Sequence, residues 1–250
     1  MQLDNKLLKL LTKSIKPFFN LIPSRIPIPI MRGPLKGMKW MKGAGAGEFF
    51  GLSPVLNLAE PELMSFAVKL LTGNDICFDI GANIGLYSLL FAKYSKFVYS
   101  FEPLPRNVKY LQKILELNGI KNVIIIPVAV YEKVTVLHFK EGFNCATGRL
   151  ADDGHLPVFC VSLDRFIEFY EEKIKPSLIK IDVEGAELSV LKGAKKLLLG
   201  DLRPNILLSI HGADLRKKCL EFLKSVGYNT ILPIDNKSVN KASEFAAIGE

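Results

Sequence analysis

The segment Cys77-Phe78-Asp79-Ile80-Gly81-Ala82-Asn83-Ile84-Gly85-Leu86 carries the densest chemical signal in the chain. An apolar run ends in an acid, two glycines follow four positions apart, and a helical apolar period begins. This pattern is a strand tipped by Asp79, a tight turn at Gly81, and a helix that Gly85 lets lie close to the strand. Backbone N–H groups at that helix start can meet a carboxylate, and Asp79 can meet an ammonium. Together they suit the amino-acid end of S-adenosylmethionine. A nicotinamide-dependent dehydrogenase uses the same geography, but its GxGxxG fingerprint opens the middle position for a pyrophosphate. Asn83 stands there instead, and Asp79 would repel the phosphates, so the dehydrogenase is the weaker alternative.

Ser100-Phe101-Glu102-Pro103 sets a second carboxylate 21 residues beyond Gly81, at the tip of the next apolar run. There Glu102 can accept both hydroxyls of a ribose. Its competing role is a dipole partner for the helix that Pro105 opens. Two adjacent strand tips thus offer acids suited to one nucleoside.

The elements that must hold these tips follow from periodicity. From Asp75 onward, strand-length apolar runs alternate with helical periods, which predicts a parallel sheet covered on both faces. The strands are expected at Ile76 to Ile80, Phe97 to Phe101, Val123 to Ile126, Leu178 to Asp182, Ile206 to Ile210 and Tyr228 to Leu232. Helices are expected near Leu86 to Tyr94, Pro105 to Asn118, Gly185 to Leu199 and Ala213 to Val226, and Pro61 opens an earlier one through about Leu71. The stretch between the third and fourth strands is far longer than a crossover needs. Val134 to Phe139 alternates like an edge strand, Val158 to Val161 reads as its partner, and Leu163 to Tyr170 as a short helix. Glu141 to Pro157 reads as a loop that covers or shapes a substrate site.

Ahead of this, Leu7, Leu8, Leu11, Ile15, Phe18 and Ile22 alternate with lysines. The lysines interrupt this amphipathic segment too often for it to span a bilayer. It is expected to pack on the catalytic domain or to lie on a membrane surface. Four prolines from Pro23 to Pro34 then make an extended connector, and a glycine-rich stretch follows it. The expected division is an N-terminal helix and extended cap over 1–60 and one catalytic domain over 61–250.

With 250 residues, 49% hydrophobic and 23% charged, the chain can bury one α/β core. The net charge of +8 is spread along the sequence in no dense basic run, and no nucleic-acid partner is expected. Cys77, Cys145, Cys160 and Cys219 form no CxxC pair, which points to a reducing, cytoplasmic setting, membrane-associated only if the N-terminal segment lies on a membrane surface instead of packing on the domain. Cys77 falls in a strand and reads as core.

FDIGANIGLYSLL, YSFEPLPRN and LIKIDVEGAELSVLKGA, in this order and at these separations, closely resemble the FkbM-type methyltransferases, from about Gly51 to about Gly212. The resemblance implies a Rossmann-like class I methyltransferase fold, with a mostly parallel seven-stranded sheet and an antiparallel seventh strand near Glu244 to Ile248. It implies S-adenosyl-L-methionine as cofactor and methylation of a hydroxyl on a sugar, glycan or secondary metabolite. Carried over by residue, Asp79, Gly81, Asn83, Gly85 and Glu102 hold the cofactor. Lys180, Asp182, Glu184, Gly185 and Glu187 belong to the fourth strand and the turn after it, on the substrate side.

An acid such as Asp182 at the end of a buried strand is costly unless it meets a ligand, a metal or a donor, so it is expected to be catalytic. The chain departs from the family pattern at Ser209-Ile210-His211-Gly212, where many members carry an acid. No metal is expected, because Asp182, Glu184 and one histidine make a thin ligand set. His211 is taken as a general base with a pKa near neutrality, or as a histidine hydrogen-bonded at a loop start. His138 is expected to be structural and His155 a weak substrate contact. The missing acid leaves a second hypothesis, a non-catalytic adenosyl-binding or scaffolding protein.

Overall fold

The computed structural model describes residues 23, 26–41, 51–142, 148–170 and 173–249. The expected amphipathic segment at Leu7 to Ile22 and Cys145 lie outside the described residues. In chain order the elements begin with β1 Pro27–Pro29, β2 Lys39–Met41, α1 Leu52–Val55, α2 Pro61–Leu70, β3 Ile76–Ile80, α3 Leu86–Tyr94, β4 Phe97–Phe101, α4 Pro105–Leu117 and β5 Val123–Ile126. An inserted group follows: β6 Ala129–Val130, β7 Thr135–Lys140, β8 Arg149–Leu150, β9 Leu156–Val161 and α5 Leu163–Phe169. The chain then runs through β10 Leu178–Ile181, α6 Glu187–Gly193, α7 Lys195–Leu199, β11 Asn205–Ser209, α8 Ala213–Ser225, β12 Ile231–Pro233 and β13 Glu244–Ala247.

Seven strands form the main sheet in the order β12-β13-β11-β10-β3-β4-β5. β3, β4, β5, β10 and β11 pair in parallel, and β13 runs antiparallel between β11 and β12. This is the Rossmann-like class I methyltransferase fold, with β13 as the reversed strand. The chain leaves β3 to one side for β4 and returns on the other side as β10, so the carboxyl ends of these strands bound the crevice where such folds take ligands.

The central strands alternate faces as a pleated sheet must. Phe78, Ile179, Ile181 and Leu208 enter one buried cluster with Phe166, Val190, Leu191 and Leu223, from α5, α6 and α8. Cys77, Val98, Leu178 and Leu207 enter the opposite cluster with Leu63, Leu90 and Ile114, from α2, α3 and α4. Trp40 and Leu52, from the residues before α2, are buried in that second cluster too. Cys77 is a core residue whose thiol burial pushes up to about 12.

Three local departures have physical causes. The helix expected over Gly185 to Leu199 is two, because the Asp164 carboxylate of α5 accepts from Lys196 N and Leu197 N and so caps a fresh start after Ala194. Tyr228 precedes β12, because its wholly buried hydroxyl donates to Pro204 O at 2.7 Å and fixes the chain before pairing resumes. The insertion contains a four-stranded sheet, β6-β9-β7-β8, so the stretch expected as loop from Glu141 to Pro157 includes β8 and the start of β9.

Candidate functional site

Face alternation leaves one polar row in an apolar sheet. Ser100, Asp79 and Lys180 are register partners across β4, β3 and β10 and share the face of α3. Ser88 of α3 drops onto this row, donating to Asp79 Oδ2 at 2.6 Å and lying 2.8 Å from Ser100 Oγ. Asp79 is 2% exposed, and burial lifts its carboxyl to about 6 against the pull of Ser88 and Lys180. On the other side, Lys180 Nζ donates to Ser209 Oγ at 2.7 Å and to Asp182 Oδ2 at 3.2 Å, and lies 4.9 Å from the Tyr87 ring centroid. A buried ammonium requires such partners. Lys180, expected on the substrate side, lines the site, but its charge is spent holding Asp182.

The turn after β3 binds the strand tips together. Gly81 N and Ala82 N donate to Phe101 O, and Asn83 N donates to Glu102 Oε2 at 2.8 Å. Gly81 has φ +78°, and a Cβ on it would lie 2.0 Å from Asp182 O, so only glycine lets this turn pass the end of β10. Asn83 sits at φ +52°, tolerable for asparagine. Gly85 acts differently from expectation. It precedes α3 at φ +94°, and its absent Cβ makes room for Leu111 of α4, so the approach is between two helices, behind the cavity wall.

Glu102 is 4% exposed. Its carboxylate accepts from Asn83 N, from Leu104 N at 3.0 Å and from Asn107 Nδ2 at 3.2 Å. Burial raises its pKa, and these donors oppose that rise. Of its two expected roles the helix partner is made, since Glu102 receives the N–H at the start of α4, and its side chain also faces the same space as Asp79.

That space is a cavity of about 350 Å³. Asp79, Gly81, Asn83, Glu102, Lys180, Asp182 and Glu184 all line it, whereas Gly85, Gly185, Glu187 and His211, also expected at the site, do not. Trp40 and Glu60 close it from the residues before α2, and Phe139 and Leu150 close it from the insertion. In the sequence Glu60, next to Pro61, reads only as an acid suited to the positive end of α2. In the fold it accepts from Tyr87 Oη at 2.7 Å and lies 3.9 Å from Lys180 Nζ, held at φ +44°. His138 and His155 are exposed, and neither lines the cavity, so His155, expected as a weak substrate contact, lies outside it.

His211, after β11, stands beside the end of the cavity that Asp182 and Glu184 line. Its Nδ1 is 2.8 Å from Glu187 Oε1, and its Nε2 is 3.8 Å from Asp182 Oδ1 and 3.6 Å from Glu184 Oε2. The Glu187 hydrogen bond, against desolvation and with help from Asp182 and Glu184, raises its pKa to about 9. The expected neutral base is therefore corrected: at pH 7 the ring carries its proton, because three carboxylates surround it. Asp182 is partly exposed, with its cost met by Lys180. Asp182, Glu184 and His211 also bring one ligand atom each within 4.8 Å of one another.

The family model described as "Methyltransferase FkbM domain" matches residues 79–230, more than half of the chain. The hexuronic acid methyltransferase AglP of Haloferax volcanii is 28% identical over 127 residues, 50% of this chain and 52% of its own length. The chain thus spans about half the length of that curated relative. The crystal structure of methyltransferase FkbM from Methylobacillus flagellatus KT superposes with a TM-score of 0.55 at 19% identity, covering 77% of this chain and 49% of that one; it shares the fold. Among the described residues, no helix is long and apolar enough to cross a membrane.

Proposed function

The chain belongs to the FkbM methyltransferase family, and from that premise we propose that it transfers a methyl group from S-adenosylmethionine to a hydroxyl of a sugar, glycan or related small molecule. One observation carries the reading: Asp79 and Glu102, on neighbouring strand tips, face a single cavity that continues to Asp182 and Glu184. The donor set fits the cofactor's two ends. Asp79 suits the ammonium, and Glu102 keeps acceptor capacity for ribose hydroxyls beside its three N–H donors. S-adenosylmethionine supplies a methyl on a sulfonium, so the C–S bond breaks as the acceptor's C–O bond forms and the acceptor's proton must leave.

The protein's part is alignment. Holding two reactants in one cavity is worth about 7 kcal/mol or more, so no catalytic triad is required. Asp182, anchored through Oδ2 by Lys180, keeps Oδ1 to orient the acceptor hydroxyl and take its proton. Protonated His211 and the Lys180 ammonium place positive charge on either side of that carboxylate. The match to a hexuronic acid methyltransferase favours a sugar acceptor. The acids at this end favour a neutral hydroxyl-bearing face presented to Asp182, with any acceptor carboxylate turned away from it.

Calorimetric titration with S-adenosylmethionine, followed by transfer of its labelled methyl group to a panel of neutral, amino and uronic glycosides, tests the reading. Binding with transfer to a hydroxyl is expected. Binding with transfer to no acceptor would favour an adenosyl-binding scaffold, and failure to bind would remove the assignment.

A further inference from the structure

We propose that Asp182, Glu184 and His211 form a binding site for one divalent cation of the Mn2+ type at the acceptor end of the cavity. The inference builds on the reading of that end as the acceptor side, but its evidence is the geometry of the side chains. His211 Nε2 lies 3.8 Å from Asp182 Oδ1 and 3.6 Å from Glu184 Oε2. Both separations are too long for hydrogen bonds. They are close to the spacing of about 3 to 3.6 Å that two ligands adopt when each bonds one small ion at about 2.1 Å. The three groups come from the end of β10, the turn after it and the loop after β11, so the sheet itself brings them together.

Glu187 is the independent observation. Its side chain is 0% exposed. One oxygen accepts from Gly185 N at 3.0 Å and lies 2.8 Å from His211 Nδ1, while Oε2 is buried without a hydrogen-bond partner. A wholly buried carboxylate with an unsatisfied oxygen is expensive. Aimed at the back of the imidazole, it fixes the proton on Nδ1 and turns Nε2 toward the two acids, the arrangement by which proteins orient histidine ligands. Glu187 is thus a positioning residue.

The charge balance points the same way. Asp182, Glu184 and Glu187 crowd one histidine, with Glu60 further along the cavity, and the neighbouring Lys180 is committed to Asp182 and Ser209. A cation on Nε2 would take the place of its proton and neutralise the pair of acids in front. Two carboxylates and one imidazole, without a thiolate, suit Mn2+ or a similar borderline ion, and three protein ligands leave positions open for water and for an acceptor hydroxyl. With its oxygen on such an ion, that hydroxyl would lose its proton to water, and Asp182 would serve as ligand instead of base.

The test uses the full chain, treated with chelator and titrated with Mn2+ alone while the free-ion electron paramagnetic resonance signal is followed. One Mn2+ per chain is expected, with Glu184→Gln and Asp182→Asn each weakening binding at least tenfold, and Glu187→Gln weakening it about 10- to 100-fold. Thermal melting of each variant shows whether it is folded, and Glu184, being partly exposed, is the substitution that perturbs folding least. No binding below millimolar Mn2+, or binding that Glu184→Gln leaves unchanged, would overturn the site. The two proposals separate cleanly: Mn2+ binding without S-adenosylmethionine binding would sink the methyltransferase reading alone, whereas full methyl transfer in excess chelator would sink the cation alone.

Discussion

The two ends of the cavity are built from the same sheet edge, yet they are finished to different degrees. At the β3 and β4 tips, Asp79 and Glu102 are almost wholly buried, and their partners are donors at 2.6 to 3.2 Å. At the β10 and β11 tips, Asp182, Glu184 and His211 keep side chains 30 to 38% exposed, and the contacts of His211 Nε2 with the two acids are 3.6 to 3.8 Å. On the proposed function, the first end is a preorganised socket for the cofactor, and the second is a set of charges whose partners arrive with the acceptor. Binding energy that must serve every turnover is built into the fold, and the part that selects the acceptor is left adjustable.

Gly81 joins the ends, and replacing it should do the most damage. Gly81→Ala forces a side chain into the left-handed region and drives its Cβ against Asp182 O, whose backbone cannot yield without moving β10. A loss of about 4 kcal/mol in urea unfolding is expected, from backbone strain and overpacking together. Gly85→Ala has similar strain but meets only the flexible end of Leu111, so it should cost about half as much. Equal losses would mean that the turn does not couple the two ends.

Lys180→Met comes next. It removes the buried cation between Asp79 and Asp182 and leaves both acids and Ser209 without it. Breaking a buried pair costs about 3 to 5 kcal/mol, and the partial exposure of Asp182 holds the expected loss near the lower figure. Stability equal to that of the parent would show that solvent already satisfies the acceptor end.

The socket was far more legible than the acceptor end. β3 and β4 fall where the apolar runs place them, Ile76–Ile80 and Phe97–Phe101, because strands buried on both faces write themselves as continuous hydrophobic stretches. The acids that tip them are local signals: Asp79 and Glu102 each lie next to the turn they serve. The reversed direction of β13 came from the family resemblance, since no period says which strand turns back, and the order of the outer strands came only from the fold. At the acceptor end the decisive pairs are long-range. Glu187 and His211 are 24 residues apart, and Glu60 meets Lys180 across 120, separations that only the closed fold brings together. Asn107 was visible within PLPRN, but its hold on Glu102 needed the first turn of α4.

Glu102→Gln sharpens the comparison from the socket side. Alanine would confound the result, because it strips the acceptor from Asn83 N, Leu104 N and Asn107 Nδ2 and so damages the fold as well as the site. Glutamine keeps the shape, removes the charge and turns one acceptor oxygen into a donor facing N–H groups. Cofactor affinity should fall by about 1 to 3 kcal/mol, measured by calorimetry, with a smaller change in melting temperature. An unchanged affinity would take Glu102 out of the ribose contact and leave it as a cap for α4.

The smallest effect is a pH dependence that belongs to the socket alone. Burial lifts the Asp79 carboxyl from 3.8 to about 6, so in the empty protein it takes up a proton as pH falls through that value. Only its ionised form attracts the ammonium of S-adenosylmethionine, so affinity should weaken about tenfold between pH 7 and pH 5, the range in which the ligand's own charge is constant. Folding of the free protein runs the other way. Because the folded state binds that proton more tightly than the unfolded chain, Asp79 favours folding at low pH and loses that contribution as pH rises from about 4 to 6. Glu244, raised to about 7, titrates nearby but faces Glu60 and Lys180 at the acceptor end. Asp79→Asn separates the two, because it should flatten the calorimetric pH profile while leaving Glu244 in place. A profile that keeps its slope in Asp79→Asn would move the titration to the acceptor end, and with it the assignment of which end receives the ammonium.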